Sequence, residues 1–369
     1  MSRPVHGGNL VWAAAIARCS PRELLDFSAS ISPLGPPHSV SEAIQAAFSS
    51  VVAYPDPAYG SLRGAIAQHH QISSDYILPG NGAAELLTWA ARDFSEQAQL
   101  CFQLSPNFSD YDRALRAFNV PTQNIPLLTA SGWQLQNWDR LLLKAIPKGM
   151  KARNCGILLN NPHNPTGALF AKAQVRALAD QFGLVIVDEA FMDFLPPERS
   201  QSVIEWVGDL PNLVVLRSLT KFYSMPGIRL GYAIAQPSVL QRWQQWRDPW
   251  SVNTLAAAAG VAAIADAPFQ TKTWDWLKTS SEQLFAGLQA LPGLAPLPSS
   301  ANFFLVACQV SATALQQQLL ARHQIYIRDC MSFAALGDRY FRVAVKTPED
   351  HQRLLAALAD VLPSLPICS

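Results

Sequence analysis

Four short runs constrain the fold more than any other feature of this chain: residues 155–160 (CGILLN), 184–191 (LVIVDEAF), 213–218 (LVVLRS) and 228–235 (IRLGYAIA). They are rich in Ile, Leu and Val and show little polar alternation. A strand with one face in water alternates polar and apolar residues, whereas strands buried on both faces do not. The runs therefore predict a mostly parallel sheet covered by helices. Segments with apolar spacing of three and four supply candidate helices: 41–52 (SEAIQAAFSSVV), 61–71 (SLRGAIAQHHQ), 82–94 (GAAELLTWAARDF) and 108–118 (FSDYDRALRAF). A further strand is expected at 98–104 (AQLCFQL).

Beyond about Gln241 the pattern changes. Helices are expected to about Ala290, followed by NFFLVAC, a helix near Ala312–Arg322, QIYIRD, YFRVAV and a last helix from Pro348. This mixture reads as a smaller α+β unit, with LPGLAPLPSS (291–300) as the most linker-like segment. A chain of 369 residues that is 49% hydrophobic can bury more than one compact unit. The expected division is an N-terminal arm (1–36) shared with the small unit and the binding site, a large domain (37–265) and a small C-terminal domain (266–369).

Charge and cysteine content exclude several classes. With 28 Lys and Arg against 27 Asp and Glu, and no basic run, the chain has no electrostatic footprint for nucleic acid. The six cysteines are widely separated and form no C-x-x-C pair, so neither a zinc site nor a small disulfide framework is expected. Reduced thiols in a cytoplasmic protein fit better. LVWAAAIA (10–17) has the small residues of a cleaved signal. Only Arg3 charges the segment before it, and the polar turn HGGN interrupts, so a buried N-terminal helix is the expectation. No run approaches membrane-spanning length.

Three polar clusters follow the apolar runs: NNPHNPTG, DEAF and SLTKFY. Ligands of open α/β sheets gather at the carboxyl ends of the strands, so the clusters are expected to form one site. Within SLTKFYSMPGIRLG (218–231), Lys221 stands among hydroxyl residues in a chain only 15% charged. A buried lysine loses proton affinity and becomes available for Schiff-base chemistry. Asp188 at its strand end admits two roles: salt-bridge partner of that lysine, or partner of the ring nitrogen of pyridoxal phosphate, keeping that nitrogen protonated. PGNGAAEL (79–86) is a glycine-bearing turn running into a helix, and the amides near Gly82 and Ala83 suit a phosphate. The hydroxyls of Ser218 and Thr220 and the guanidinium of Arg229 complete a candidate cradle.

NPHNPTG, VDEAF and SLTKFYSMPGIRLG, in that order and spacing, resemble the signature set of pyridoxal-phosphate enzymes with the aspartate aminotransferase fold. The resemblance extends over nearly the whole chain. It implies that Lys221 carries the covalent link to the cofactor and that Asp188 holds the ring nitrogen. It also implies that Asn164 bonds the ring hydroxyl and Phe108 stacks on the ring. It further implies a homodimer in which Tyr54 of AYPDP reaches the neighbouring subunit's cofactor phosphate.

Within that fold, HGGN with LLDFSASISPLGPP, the lysine segment, DPWSVNTLAA and YIRDC are similar to the threonine-phosphate decarboxylases of cobalamin synthesis. The alternative is a histidinol-phosphate aminotransferase. Those enzymes usually carry tyrosine three residues after the aspartate, where this chain has Phe191. The decarboxylase resemblance implies that Arg342 binds the substrate carboxylate. Arg328, with His6 and Gly7, would hold the phosphate of a phosphorylated amino acid. Ser30 stands where the family has asparagine. Beside these roles stand ordinary ones: His6 as part of an ordered turn and Arg328 as a surface ion-pair partner. HGG without a G-x-S-x-G elbow does not signal a hydrolase. A silent, DNA-binding regulator of the same fold is disfavoured, because the motifs begin by residue 6.

Overall fold

The computed structural model describes residues 3–333 and 335–368. Its large sheet contains seven strands: β1 (Ile77–Gly80), β2 (Leu100–Ser105), β3 (Thr122–Pro126), β4 (Cys155–Asn160), β5 (Leu184–Asp188), β6 (Leu213–Ser218) and β7 (Gly231–Ile234). Their spatial order is β1-β7-β6-β5-β4-β2-β3. Every pairing is parallel except those of β7, which runs antiparallel to both β1 and β6.

Side chains alternate between the two faces and both faces are covered. Ile157, Leu159, Val185, Val187, Leu213 and Val215 enter one apolar cluster. Leu158, Leu184, Ile186, Val214 and Leu216 enter a second, on the opposite face. This two-sided burial is why the sequence runs lack alternation. Each such side chain stabilises the fold by about 1.5–3 kcal/mol.

A smaller four-stranded sheet comprises β8 (Leu294–Pro296), β9 (Phe303–Cys308), β10 (Arg328–Asp329) and β11 (Tyr340–Ala344), ordered β8-β9-β11-β10 and antiparallel throughout. The helices Ala267–Gln289, Ala312–His323 and Pro348–Val361 belong to this part of the chain. The N-terminal helix Leu10–Ala17 buries Ala13 and Ala17 against Leu320 and Tyr326. No helix is long and apolar enough to cross a membrane among the described residues.

Three expectations need correction. LPGLAPLPSS is not a free linker, because Leu294–Pro296 pairs in register with Val306–Cys308. QIYIRD is not one strand: Ile325–Tyr326 pairs with Leu25–Asp26, while Arg328–Asp329 joins the small sheet. The run at 228–235 begins its strand only at Gly231 and runs against the other strands. Strands β1 and β3 carry no clear pattern and were not expected.

Candidate active site

Strand register assembles the three polar clusters at one edge. Asn160 ends β4 opposite Asp188 at the end of β5, and Ser218 ends β6 opposite Gly231, the first residue of β7. Gly231 also pairs with Gly80 at the end of β1, so the reversed strand starts where the others stop. A Cβ on Gly231 would lie 2.8 Å from the Ala83 nitrogen, and this close approach brings the helix Ala83–Gln97 to the lysine loop.

Asp188 is 8% exposed. Its Oδ2 accepts from the Tyr111 hydroxyl at 2.6 Å and its Oδ1 from the Ala190 amide at 3.0 Å. Burial raises its carboxyl above the usual range, while Lys221, Tyr111 and the Ala190 amide pull it back toward the ionised form. Asn160 Nδ2 donates to the Asp188 carbonyl at 2.8 Å, and Asn160 Oδ1 accepts from the Asn164 amide at 2.7 Å. The acid and Asn164 are thus held by one amide side chain.

Lys221 is half-buried, with Nζ 4.5 Å from the centroid of the Phe191 ring. Its ammonium is pushed down to about 8, first by burial and then by Arg342 and Arg229, against the pull of Asp188. Asp188 and Lys221 act on each other electrostatically, so pairing with the lysine and pairing with a cofactor ring nitrogen both stay open to this acid.

Gly82 precedes the helix Ala83–Gln97 with φ +76°, a conformation that favours glycine. A Cβ there would fall 2.6 Å from Arg229 Nη2. The helix start and the guanidinium therefore form a concavity that a side chain would fill. Arg229 itself has φ +61° and donates through Nη1 to the Pro226 carbonyl at 3.1 Å. The Ser218 hydroxyl accepts from the Thr220 amide at 3.3 Å, and Thr220 lies half-buried beside it. Unfilled helix-start amides, two hydroxyls and an arginine fit a phosphate, and the amine of Lys221 with the acid of Asp188 fits a pyridine aldehyde.

Arg328 and Arg342 are Cα partners across β10 and β11, 4% and 8% exposed. Neighbouring Asp329 pairs instead with Arg3 at 2.9 Å, and neither buried arginine has a carboxylate partner among the described residues. Arg342 Nη1 donates to Asn164 Oδ1, and its guanidinium lies 4.7 Å from the Phe303 ring centroid. Burial holds Arg342 down to about 10. Arg328 donates to the carbonyls of Pro4 and Val5 and to Ser332 Oγ at 2.5 Å. Its burial removes the surface ion-pair reading.

The N-terminal arm lies against both parts of the chain. The ring of exposed His6 packs 5.5 Å from half-buried Phe108, and burial lowers its pKa first, with Arg328 adding to the effect. Gly7 touches residue 28: a Cβ on it would sit 2.2 Å from the Ser28 carbonyl oxygen. Ser30 is 4% exposed and its hydroxyl is buried without a partner among the described residues. Tyr54 does not join this constellation within one chain. It is 79% exposed and stacks on Trp250 at 4.5 Å.

Sequence reasoning missed Asn160 and Tyr111. Tyr111 had a signal, since it follows Phe108 by three positions and so shares a helix face with it. The Phe108 and Tyr111 rings meet edge to face at 5.6 Å.

A family model described as aminotransferase class I and II matches residues 22–358. The chain is 38% identical over 365 residues to the threonine-phosphate decarboxylase of Salmonella typhimurium, covering 98% of this chain and 97% of that protein. It is 34% identical to the histidinol-phosphate aminotransferase of Symbiobacterium thermophilum, covering 92% and 91%. The histidinol-phosphate aminotransferase of Sinorhizobium meliloti, solved with pyridoxal-5'-phosphate, superposes with a TM-score of 0.83 at 25% identity and 99% coverage of both chains. The chain belongs to the class I and II aminotransferase family, with the aspartate aminotransferase-like fold.

Proposed function

We propose that this chain is a pyridoxal-phosphate-dependent decarboxylase that converts O-phospho-L-threonine to (R)-1-amino-2-propanol phosphate for cobalamin synthesis. The observation that carries this reading is the Arg328–Arg342 pair. Two adjacent buried guanidiniums, without carboxylate partners among the described residues, suit a substrate bearing both a carboxylate and a phosphate. The 38% identity to a threonine-phosphate decarboxylase supports the same substrate class.

When bound, the cofactor supplies a conjugated ring that accepts the electrons of the bond broken at the substrate Cα. Lys221 provides the amine that links to it. Asp188 keeps the ring nitrogen protonated, Phe108 stacks on the ring, and Asn164, whose Oδ1 faces Arg342, bonds the ring hydroxyl through Nδ2. Gly82, Ala83, Ser218, Thr220 and Arg229 hold the cofactor phosphate. Arg342 grips the substrate carboxylate, and Arg328, His6 and Gly7 hold its phosphate. Ser30, with its unpartnered buried hydroxyl, meets the substrate directly or through water. Arg342 and Arg328 would anchor the two charged ends of the substrate, and decarboxylation would require that grip to set the carbon–carboxylate bond perpendicular to the ring plane. Once the substrate amine has displaced it from the cofactor, Lys221 Nζ would be the free amine at the site and would hold the proton that replaces carbon dioxide on Cα.

The same reading makes the enzyme a cytoplasmic homodimer. Phe48, Val51, Val52, Tyr54 and Trp250 leave 65%, 48%, 92%, 79% and 42% of their surfaces exposed, apolar surface that supports a partner copy covering it. Tyr54 and Trp250 line a groove of about 660 Å³. Arg247, three residues before Trp250 in the chain, donates to the Pro79 carbonyl just ahead of Gly82, which supports a partner copy reaching toward the phosphate cradle.

The test is a pair of assays on one preparation. With O-phospho-L-threonine, the expected result is carbon dioxide and an aminopropanol phosphate with no keto acid consumed. Glutamate formed from histidinol phosphate and 2-oxoglutarate, without carbon dioxide release, would reject the reading.

Gly82→Ala tests the cradle separately. The added methyl meets both an unfavourable φ and the Arg229 guanidinium. Displacing a charge-assisted contact costs about 1.5–3 kcal/mol. Cofactor affinity measured by equilibrium dialysis is therefore expected to fall about tenfold to hundredfold. Unchanged affinity would remove Gly82 from the phosphate site.

A further inference from the structure

One side chain joins the ring-stacking residue to the acid of the site. Tyr111 is 2% exposed, and its hydroxyl donates to Asp188 Oδ2 at 2.6 Å. Its ring meets Phe108 edge to face, at 5.6 Å and 88° between planes. Phe108 caps the helix Ser109–Ala117, so Tyr111 stands on the first turn directly beneath it. The Ala190 amide fixes the other carboxylate oxygen. We propose that Tyr111 is a positioning residue that holds Asp188 ionised and in one rotamer toward the cofactor ring nitrogen while bracing the stacking ring of Phe108. This rests on the cofactor assignment made above.

A buried carboxylate tends to take up a proton, and burial is the largest influence on Asp188. A hydroxyl donor favours the ionised form, and a buried phenol held beside a carboxylate stays neutral and keeps donating: the Tyr111 phenol is pushed well above its ordinary value by burial and by Asp188. The charged groups facing this pair are Lys221 from the loop after β6, Asp110 from the Tyr111 helix, and Arg342 from the small sheet beyond Lys221. Without the phenol, Asp188 becomes a stronger base and draws the shared proton away from the ring nitrogen. A ring with less positive charge holds the proton of the nitrogen linking it to Lys221 more tightly.

Tyr111→Phe in the holoenzyme preserves the ring and removes only the donor. The expected result has three parts. The pH midpoint at which the visible absorbance of the bound cofactor titrates moves upward. Cofactor affinity falls by about tenfold, the scale of one hydrogen bond to a charged group. And kcat falls while KM for substrate changes little, because no substrate contact is lost. A role confined to packing would lower thermal stability without moving the midpoint.

Should the phenylalanine variant fail to fold, fluorotyrosine incorporated at position 111 serves the same end. It has the same shape and is a stronger donor, so it moves the midpoint downward. A midpoint unchanged in either protein overturns the proposal. If wild-type protein shows no visible band, and borohydride fixes no pyridoxyl group on Lys221, it is the cofactor assignment that fails instead.

Discussion

Lys221→Ala abolishes the visible absorbance of the cofactor-loaded protein, leaves nothing for borohydride to fix at position 221, and lowers turnover at least about ten-thousandfold, the scale on which removing a covalent nucleophile acts. The reason lies in the surroundings of the amine. Burial first, then Arg342 and Arg229, bring its proton affinity down to about 8. At pH 7 about one such amine in ten is neutral, against about one in a few thousand for an ordinary lysine. The rate at which the empty protein takes up the cofactor aldehyde should therefore climb about tenfold per pH unit below 8 and level off above it. Absorbance growth after mixing measures this directly.

The stability of the empty protein carries the matching sign. Between about 8 and 10.5 the unfolded chain holds this proton and the folded chain does not, so stability rises with pH across that window. A cofactor-uptake rate independent of pH from 6 to 9 would mean that Nζ is not the attacking group.

How much of this was legible in the sequence depends on whether the information is local. The apolar runs of β4, β5 and β6 announce themselves because both faces are buried, and the helix after Gly82 is marked by glycine and an apolar stripe. The direction of β7 is not marked. A strand buried on both sides reads the same in either direction, and only its pairing with Ser218 and Gly80 reveals the reversal. Strand β3 lies at the sheet edge with its residues largely in water, so it has no apolar run to betray it. LPGLAPLPSS looks like a linker because the segment carries three prolines, and its three-residue strand ends in one of them and borders only one neighbour, the tolerated setting for proline in a sheet.

The site divides along the same line. Lys221, Asp188 and Asn164 stand in short motifs at strand ends, where parallel order alone brings them together. Asn160 was overlooked because its role consists of bonds to the Asp188 carbonyl and the Asn164 amide, which exist only once β4 and β5 are in register. The adjacency of Arg328 and Arg342 likewise depends on antiparallel register between short strands, which no spacing in the sequence encodes.

That adjacency leads to the second large effect. Arg342→Met lowers kcat/KM for O-phospho-L-threonine by about 30-fold to several thousandfold, while the thermal midpoint of the empty protein stays at or above the wild-type value. The loss of activity follows from removing one partner of a buried, hydrogen-bonded charge pair, which costs about 2–5 kcal/mol. The stability outcome has the opposite sign because the cost is already present before substrate arrives. Arg342 is buried, its basicity is depressed first by burial and further by Arg328, and no carboxylate pairs with it among the described residues. Methionine keeps most of the length, packs against the Phe303 ring that now lies under the guanidinium, and removes an isolated buried ion, a replacement that is often neutral or stabilising. The Asn164 amide loses one donor, a cost of about 1 kcal/mol that the relieved charge offsets. If the paired arginines form the proposed anion site, inorganic phosphate raises the thermal midpoint of the wild type and raises it less in the variant. A variant that is markedly less stable yet turns over substrate normally would identify Arg342 as a structural cation, and the substrate carboxylate would have to be held elsewhere.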